Sequence, residues 1–321
     1  MQKQVEQFKK QMEGGRLPHS FLVVGPEKTG KFRAVLEMVA VANNLTAIEK
    51  ELLKESKVPD VIFLETEERR LKSGKNDNED EQIKKVKNGK NKKASRVIVK
   101  EELDEALQTL SLKTFHFPWK VLIVRDADKM TSQTANGLLK FVEEPPENVL
   151  IFLIANDEND VLSTIRSRCQ VVRFAIVKDE VILKMIEDKK SDLPEDEKQM
   201  IVDLATGRLA LAEEYLENKD LLKEAKKRRD DFREALRSDL NTRFDLVEKI
   251  SKLETEELLW IMNEWSWYLK LFLERQICDG SNEVIVNKVR NILQELIKTR
   301  GLIKSSNVSP RVQLENFFVQ L

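Results

Sequence analysis

Two cysteines and two histidines are all that the 321 residues contain. Cys169 and Cys278 form no C-x-x-C pair, so neither a disulfide framework nor a zinc module is expected. Glycine and proline are scarce too, at ten and eight residues; with 35% charged and 41% hydrophobic residues, this favours a helix-rich soluble protein with a real core. The formal net charge is only −1, so no global field draws the chain to nucleic acid or membrane. No run approaches the roughly 18 apolar residues of a membrane span. The opening MQKQVEQFKKQM lacks the apolar core of a signal peptide, and a reducing cytoplasmic setting fits.

A chain of this length accommodates two domains or three. Val5, Phe8 and Met12 recur at helical spacing, and Gly14-Gly15 ends that helix. FLVV (21–24) reads as a buried strand, and FRAVLEMVAVANNL after it as a helix. VPDVIFLE (58–65), the VIV before KEELDEALQTLSL, VLIV (121–124) and VLIFLIAND (149–157) read as further strands. The last, continuously apolar, suits the centre of a parallel sheet. Strands alternating with helices predict a parallel α/β domain over 1–176. From 177 the strand signal ends. Three short helices are expected over 177–218, and longer helices over 219–321, where Leu258, Ile261, Met262, Trp265, Leu269 and Phe272 form one stripe. Trp260, Trp265 and Trp267 read as core or contact residues, and Ser309-Pro310 as the start of the last helix.

Between the first strand and its helix stands GPEKTGKF, residues 25–32. It is one residue short of G-x-x-x-x-G-K-[ST], the loop whose backbone N–H groups cradle phosphates and whose hydroxyl holds Mg²⁺. Gly25, Thr29, Gly30 and Lys31 keep the cradle, but Phe32 cannot ligate a metal. A ligand-free glycine turn is the plainer reading of the loop alone. VLIV is followed by Arg125, Asp126, Ala127 and Asp128. A metal-binding strand of this type ends in one acid for the ion and another for the attacking water. With Arg125 first, or Ala127 second, either register loses one role. Ser167-Arg168-Cys169 follows Arg166 ahead of a short strand; by itself it is a pair of surface arginines.

LPHSFLVVGPEKTGK, then LSLKTFHFPWKVLIVRDADKMTSQTANGLLKFVEEPPENVLIFLIAND, then TIRSRCQ, resembles the clamp-loader branch of the AAA+ ATPases. The order and spacing match from 17 to 174 apart from one insertion, and NVSPRVQLENFFVQL resembles the last collar helix of that branch. Within it, the chain most resembles the delta-prime family of bacterial DNA polymerase III subunits. The resemblance implies a P-loop AAA+ domain, a small helical lid and an all-helical collar for oligomerisation. It implies a subunit without intrinsic ATPase activity, needing no cofactor and no metal, whose glycine loop residues are relics. Arg168, flanked by Ser167 and Cys169, would be an arginine finger acting in trans on a neighbour's ATP. The implied partners are gamma/tau-like and delta-like subunits, with the sliding clamp and primer-template DNA reached through the assembly, and no membrane. The second sensor, G-x-x-R in active members, here reads Gly207-Arg208-Leu209-Ala210, and Asn156 stands at the first sensor. The family's four-cysteine module is absent, since no cysteine lies between Lys31 and Val121.

Residues 67–96 read as a flexible insertion, poor in apolar residues. From Ile83 to Arg96 it carries seven basic residues and no acid, a pattern that suits either a solvated loop or a DNA-contacting arm. Two alternatives therefore stand beside the non-hydrolysing subunit: an active gamma/tau-type ATPase and a nucleic-acid-binding regulator.

Overall fold

The computed structural model describes residues 2–66, 69, 97–278, 283–305 and 308–321. Apart from Arg69, the insertion expected at 67–96 lies outside the described residues. The chain forms two compact units, Met1–Ile176 and Val177–Leu321.

In the first unit, five parallel strands form one sheet in the order β2-β3-β4-β1-β5. They are β1 (Ser20–Val24), β2 (Val61–Leu64), β3 (Lys120–Val124), β4 (Val149–Ala155) and β5 (Gln170–Arg173). β1, β3 and β4 are buried along their whole length, the reason their sequences show no polar alternation. Side chains still alternate between faces. Leu22, Val24, Leu122, Val124, Ile151 and Leu153 meet Leu103, Leu107, Leu110, Leu138 and Val142 of α4 (Lys100–Ser111) and α5 (Ser132–Glu143). Phe21, Val23, Val121, Ile123, Phe152 and Ile154 face Phe8 of α1 (Gln2–Glu13) and Val35, Met38 and Val39 of α2 (Lys31–Ala42). Parallel pairing aligns the C-terminal ends of the strands, so the loops leaving β1, β2, β3 and β4 share one edge of the sheet. At such an edge, beside a switch in strand order, α/β sheets bind their ligands.

Two local readings need correction. VIV (97–99) forms no strand: Ile98 makes a single bridge to Met130, and Val99 already caps α4. An unexpected helix, α3 (Ala47–Lys54), opens on a capping box in which Thr46 and Glu49 bond reciprocally.

The segment 112–117 is pinned from both polarities. Buried Asp60 accepts the backbone N–H groups of Phe115, His116 and Phe117 at 2.7, 2.7 and 2.9 Å. Buried Lys120 donates to the carbonyls of Thr109, Leu112 and Lys113 at 2.7, 3.1 and 3.2 Å.

The second unit is helical. A first cluster joins α7 (Asp179–Lys189), α8 (Glu195–Ala205) and α9 (Leu209–Glu217), which follow the short α6 (Ser163–Arg166) of the first unit. A second joins the end of α10 (Lys219–Ala235) to α11 (Leu240–Ile250), α12 (Thr255–Cys278), α13 (Glu283–Ser305) and α14 (Pro310–Val319). The stripe on α12 is the centre of this core: Leu258, Ile261, Met262, Trp265 and Leu269 are buried, and Trp265 stacks on Phe232 with centroids 4.3 Å apart. Among the described residues, no helix is long and apolar enough to cross a membrane.

Asp60→Asn turns an amide toward three N–H donors and should lower unfolding free energy by about 1–3 kcal/mol at pH 7, measured by urea denaturation. Burial pushes the Asp60 carboxyl up, yet its three N–H bonds and the Lys120 charge hold it below its ordinary value. Its contribution is therefore present above the unfolded carboxyl value, about 3.9, and is lost as the pH falls through the lower folded value. The gap between wild type and Asp60→Asn should accordingly narrow in acid.

Candidate functional site

β1 ends at Val24 and the chain turns at once through Gly25. Gly25 has φ 144°, and a Cβ there would stand 2.1 Å from the carbonyl oxygen of Phe174. Only glycine allows that approach. Lys28 and Gly30 also have positive φ, 62° and 95°, and Gly30 caps α2. The Thr29 hydroxyl donates to the Pro26 carbonyl at 2.8 Å. Lys31 folds back into the loop. Its Nζ donates to the carbonyls of Gly25 and Pro26, the latter at 2.8 Å, and to Asn156 Oδ1 at 3.1 Å. Burial lowers its pKa to about 8, against the pull of Glu27, Asp128 and Asp126. The lysine, the glycine loop and the residue at the first sensor are thus one hydrogen-bonded group.

Beside it the two departures from the metal-binding pattern touch each other. The Arg125 guanidinium carbon lies 3.9 Å from the centre of the Phe32 ring, and Phe63 meets that ring edge-on with centroids 6.3 Å apart. Arg125 Nη1 also donates to Glu65 Oε2 at 2.9 Å, and that carboxylate is almost fully buried. Cation–π contacts contribute about 0.5–2 kcal/mol, more as water is excluded. Asp126 is committed elsewhere: Arg69 grips both its oxygens at 2.6 and 2.8 Å, and the Thr66 hydroxyl donates to it at 3.3 Å. Burial raises the Asp126 carboxyl, but the Arg69 bonds and charge outweigh this and hold it below its ordinary value. A divalent cation does not fit this corner: an aromatic ring stands at the hydroxyl position, a cation leads the strand end, and the next carboxylate, Asp126, already accepts three hydrogen bonds, two of them from Arg69.

At the second sensor, Ala210 lies within α9, and Arg208 precedes the helix as its cap. Arg208 is 1% exposed, with Nε donating to the Ala205 carbonyl at 3.0 Å and its guanidinium 5.6 Å over the Trp260 ring. The helical unit itself occupies this arginine.

The S-R-C run sits at the other end of the sheet. β5 pairs with β1 from Phe21↔Gln170 to Val24↔Arg173, and the strands are parallel. The glycine loop leaves the C-terminal end of β1, whereas Arg168 enters the N-terminal end of β5. Arg168 therefore lies at the end of the sheet opposite its own chain's glycine loop. Its Nη1 donates to the Thr164 carbonyl at 2.9 Å and to the Ser167 hydroxyl at 3.3 Å, and its Nε pairs with Glu143 Oε1 at 2.5 Å. Ser167 Oγ donates to Thr164 O at 3.1 Å. Arg166 turns instead to Asn159 Oδ1, at 3.0 Å. Cys169 is buried in the sheet core, and burial pushes its thiol up to about 12, away from the thiolate that nucleophilic chemistry needs. Glu65, Arg69 and Glu143 escaped the sequence reading. Glu65 was visible as the acid ending VIFLE and Glu143 as part of E-E-P-P, but nothing in the chain order pairs them with Arg125 and Arg168.

A parallel sheet with a glycine loop after β1, an acidic turn after β3 and an S-R-C turn before β5 defines a clamp-loader AAA+ protein. The family described as DNA polymerase III, delta subunit, matches residues 1–178, and the chain belongs to it. A putative replication factor C small subunit, L510, of Acanthamoeba polyphaga mimivirus is 22% identical over 98% of this chain and 77% of its own length. DNA polymerase III subunit delta' of Haemophilus influenzae is 35% identical over 98 residues, 30% of each chain. The corresponding delta' of Bacillus subtilis is 41% identical over 70 residues, 22% of this chain and 20% of that protein. The matched stretches thus span less than a third of these bacterial relatives. The crystal structure of a DNA polymerase III gamma subunit-related protein from Thermotoga maritima, 18% identical, covers 99% of this chain and 98% of its own with a TM-score of 0.47.

Gly25→Ala should destabilise the first unit, because both the positive φ and the Phe174 carbonyl oppose a methyl group. A thermal melt should show a lower midpoint, with Gly137→Ala as the tolerated control, since a Cβ there would meet only the Leu103 side chain, at 3.5 Å.

Proposed function

We propose that this chain is a non-hydrolysing clamp-loader subunit of a replicative DNA polymerase, and that Arg168 completes the ATP site of a neighbouring ATPase subunit. The observation that carries the reading is the joint filling of the metal corner. Phe32, Arg125 and Glu65 form a packed, charge-balanced group where an active site would hold Mg²⁺. The loss is compensated structurally, as expected of a scaffold rather than of a damaged motor. Meanwhile Arg168 stands at the opposite end of the sheet, with a side chain 40% exposed. A guanidinium supplied there would meet the γ-phosphate of another chain and stabilise the charge that develops in phosphoryl transfer.

In this reading residues 177–218 act as the lid and 219–321 as the collar. Partly exposed apolar side chains on the last helices, Val284, Ile285, Ile297, Val312 and Val319, support a partner-binding role for the collar. The partners would be gamma/tau-like and delta-like subunits, with the clamp and primer-template DNA engaged through the assembly. An active gamma/tau-type motor would need a metal-binding oxygen at position 32 and an acid leading the strand end, and the packed group offers neither.

The purified chain should show no Mg-ATP turnover above a no-enzyme blank in a phosphate-release assay. In an assembly reconstituted with its cognate gamma/tau-type ATPase, Arg168→Ala should lower ATP turnover by about 10³-fold, the scale of a trans-acting finger. Turnover unchanged by Arg168→Ala would remove the finger role.

A further inference from the structure

Glu143 belongs to the E-E-P-P run, and the glycine-loop site makes no use of it. It is the last residue of α5, whose cap, Glu144, closes back on the Lys140 carbonyl at 2.9 Å. Pro145 then ends the helix, since proline lacks the N–H and restricts the residue before it. The carboxylate of Glu143 therefore stands on a backbone that cannot readily shift. It also adds to the partial negative charge of a helix C-terminus.

Arg168 meets this carboxylate from a different element. Its guanidinium is anchored by the Thr164 carbonyl and Ser167 hydroxyl within its own turn, and by Glu143 across from α5. An arginine on a surface turn otherwise samples many rotamers, and that freedom must be lost before it can meet a phosphate. The pair is 40% and 44% exposed, and an ion pair so placed adds little to folding stability. Its exposure also leaves it open to exchange when a triphosphate, with greater charge, approaches. Arg166, two residues earlier, has its own acceptors, the Asn159 side chain at 3.0 Å and the Glu158 carbonyl at 3.3 Å.

We propose that Glu143 is a positioning residue for Arg168, fixing the guanidinium between α5 and α6 so that it enters a neighbour's nucleotide site already oriented. This rests on the reading of Arg168 as a trans-acting finger. Glu143 touches neither nucleotide nor reacting atoms. It acts by reducing the disorder lost when the finger engages, a contribution to orientation rather than to charge.

The experiment uses the assembly reconstituted with the cognate gamma/tau-type ATPase and ATP as the probe. Glu143→Gln should lower kcat about two- to fivefold, the scale of an exposed ion pair, with KM for ATP unchanged. Glu143→Asp, which keeps the charge on a shorter stem, should recover part of the loss. In an Arg168→Ala background, Glu143→Gln should have no further effect, and the thermal midpoint of the isolated subunit should be unchanged. Wild-type kcat for Glu143→Gln, beside a large loss for Arg168→Ala, would overturn this inference and leave the finger standing. An equal loss from Glu143→Gln with and without Arg168 would also overturn it, since the effect would then bypass the arginine. Full activity of Arg168→Ala would remove the finger and the positioning role together.

Discussion

A cation buried at the end of a sheet strand needs a counter-charge, and Arg125 is held by both the Glu65 carboxylate and the Phe32 ring. The organisation of the C-terminal edge depends on this group. Glu65 comes from the end of β2, Arg125 from the end of β3 and Phe32 from the first turn of α2, so three elements meet where a metal ion would otherwise gather them. A divalent ion draws ligands together by charge; here a guanidinium does the same with the polarity reversed. Next to it Asp126 is paired with Arg69, and Lys31 is hydrogen-bonded by the carbonyls of its own loop and by Asn156. Arg125, Asp126 and Lys31 thus each have protein partners.

That self-sufficiency shifts attention to the other end of the sheet. Parallel strands give a domain two chemically distinct edges, and here both are used differently. At the C-terminal edge, Arg125, Asp126 and Lys31 are held by groups of their own chain. At the N-terminal end of β5, an arginine is held out by a carbonyl, a hydroxyl and a carboxylate. Its contacts are short but exposed, so they can be exchanged for a stronger acceptor at little cost.

Much of the fold was legible because parallel strands buried on both faces advertise themselves as continuous apolar runs. FLVV, VLIV and VLIFLIA needed no alternation to be recognised, and Pro145-Pro146 marked the end of α5. The reading failed where the signal was short. VIV at 97–99 has the composition of a strand, but the chain enters a helix at Lys100 before a ladder can form. α3 has only eight residues, and its capping box, Thr46-x-x-Glu49, was the one local cue.

Position by position, the sequence alone determined which chemistry was absent: no hydroxyl at 32, a cation at 125, alanine at 210, no cysteine cluster. It also determined that an S-R-C turn precedes the last strand, because identity and spacing are properties of chain order. Only the tertiary structure decided that Phe32 and Arg125, 93 positions apart, are stacked on each other. It alone placed Arg168 at the opposite end of the sheet from Gly25 and brought Glu143 to its side. The physical reason is that such contacts depend on strand order and register, set by burying both faces of the sheet at once. No local pattern in the chain encodes which loops that burial will bring together.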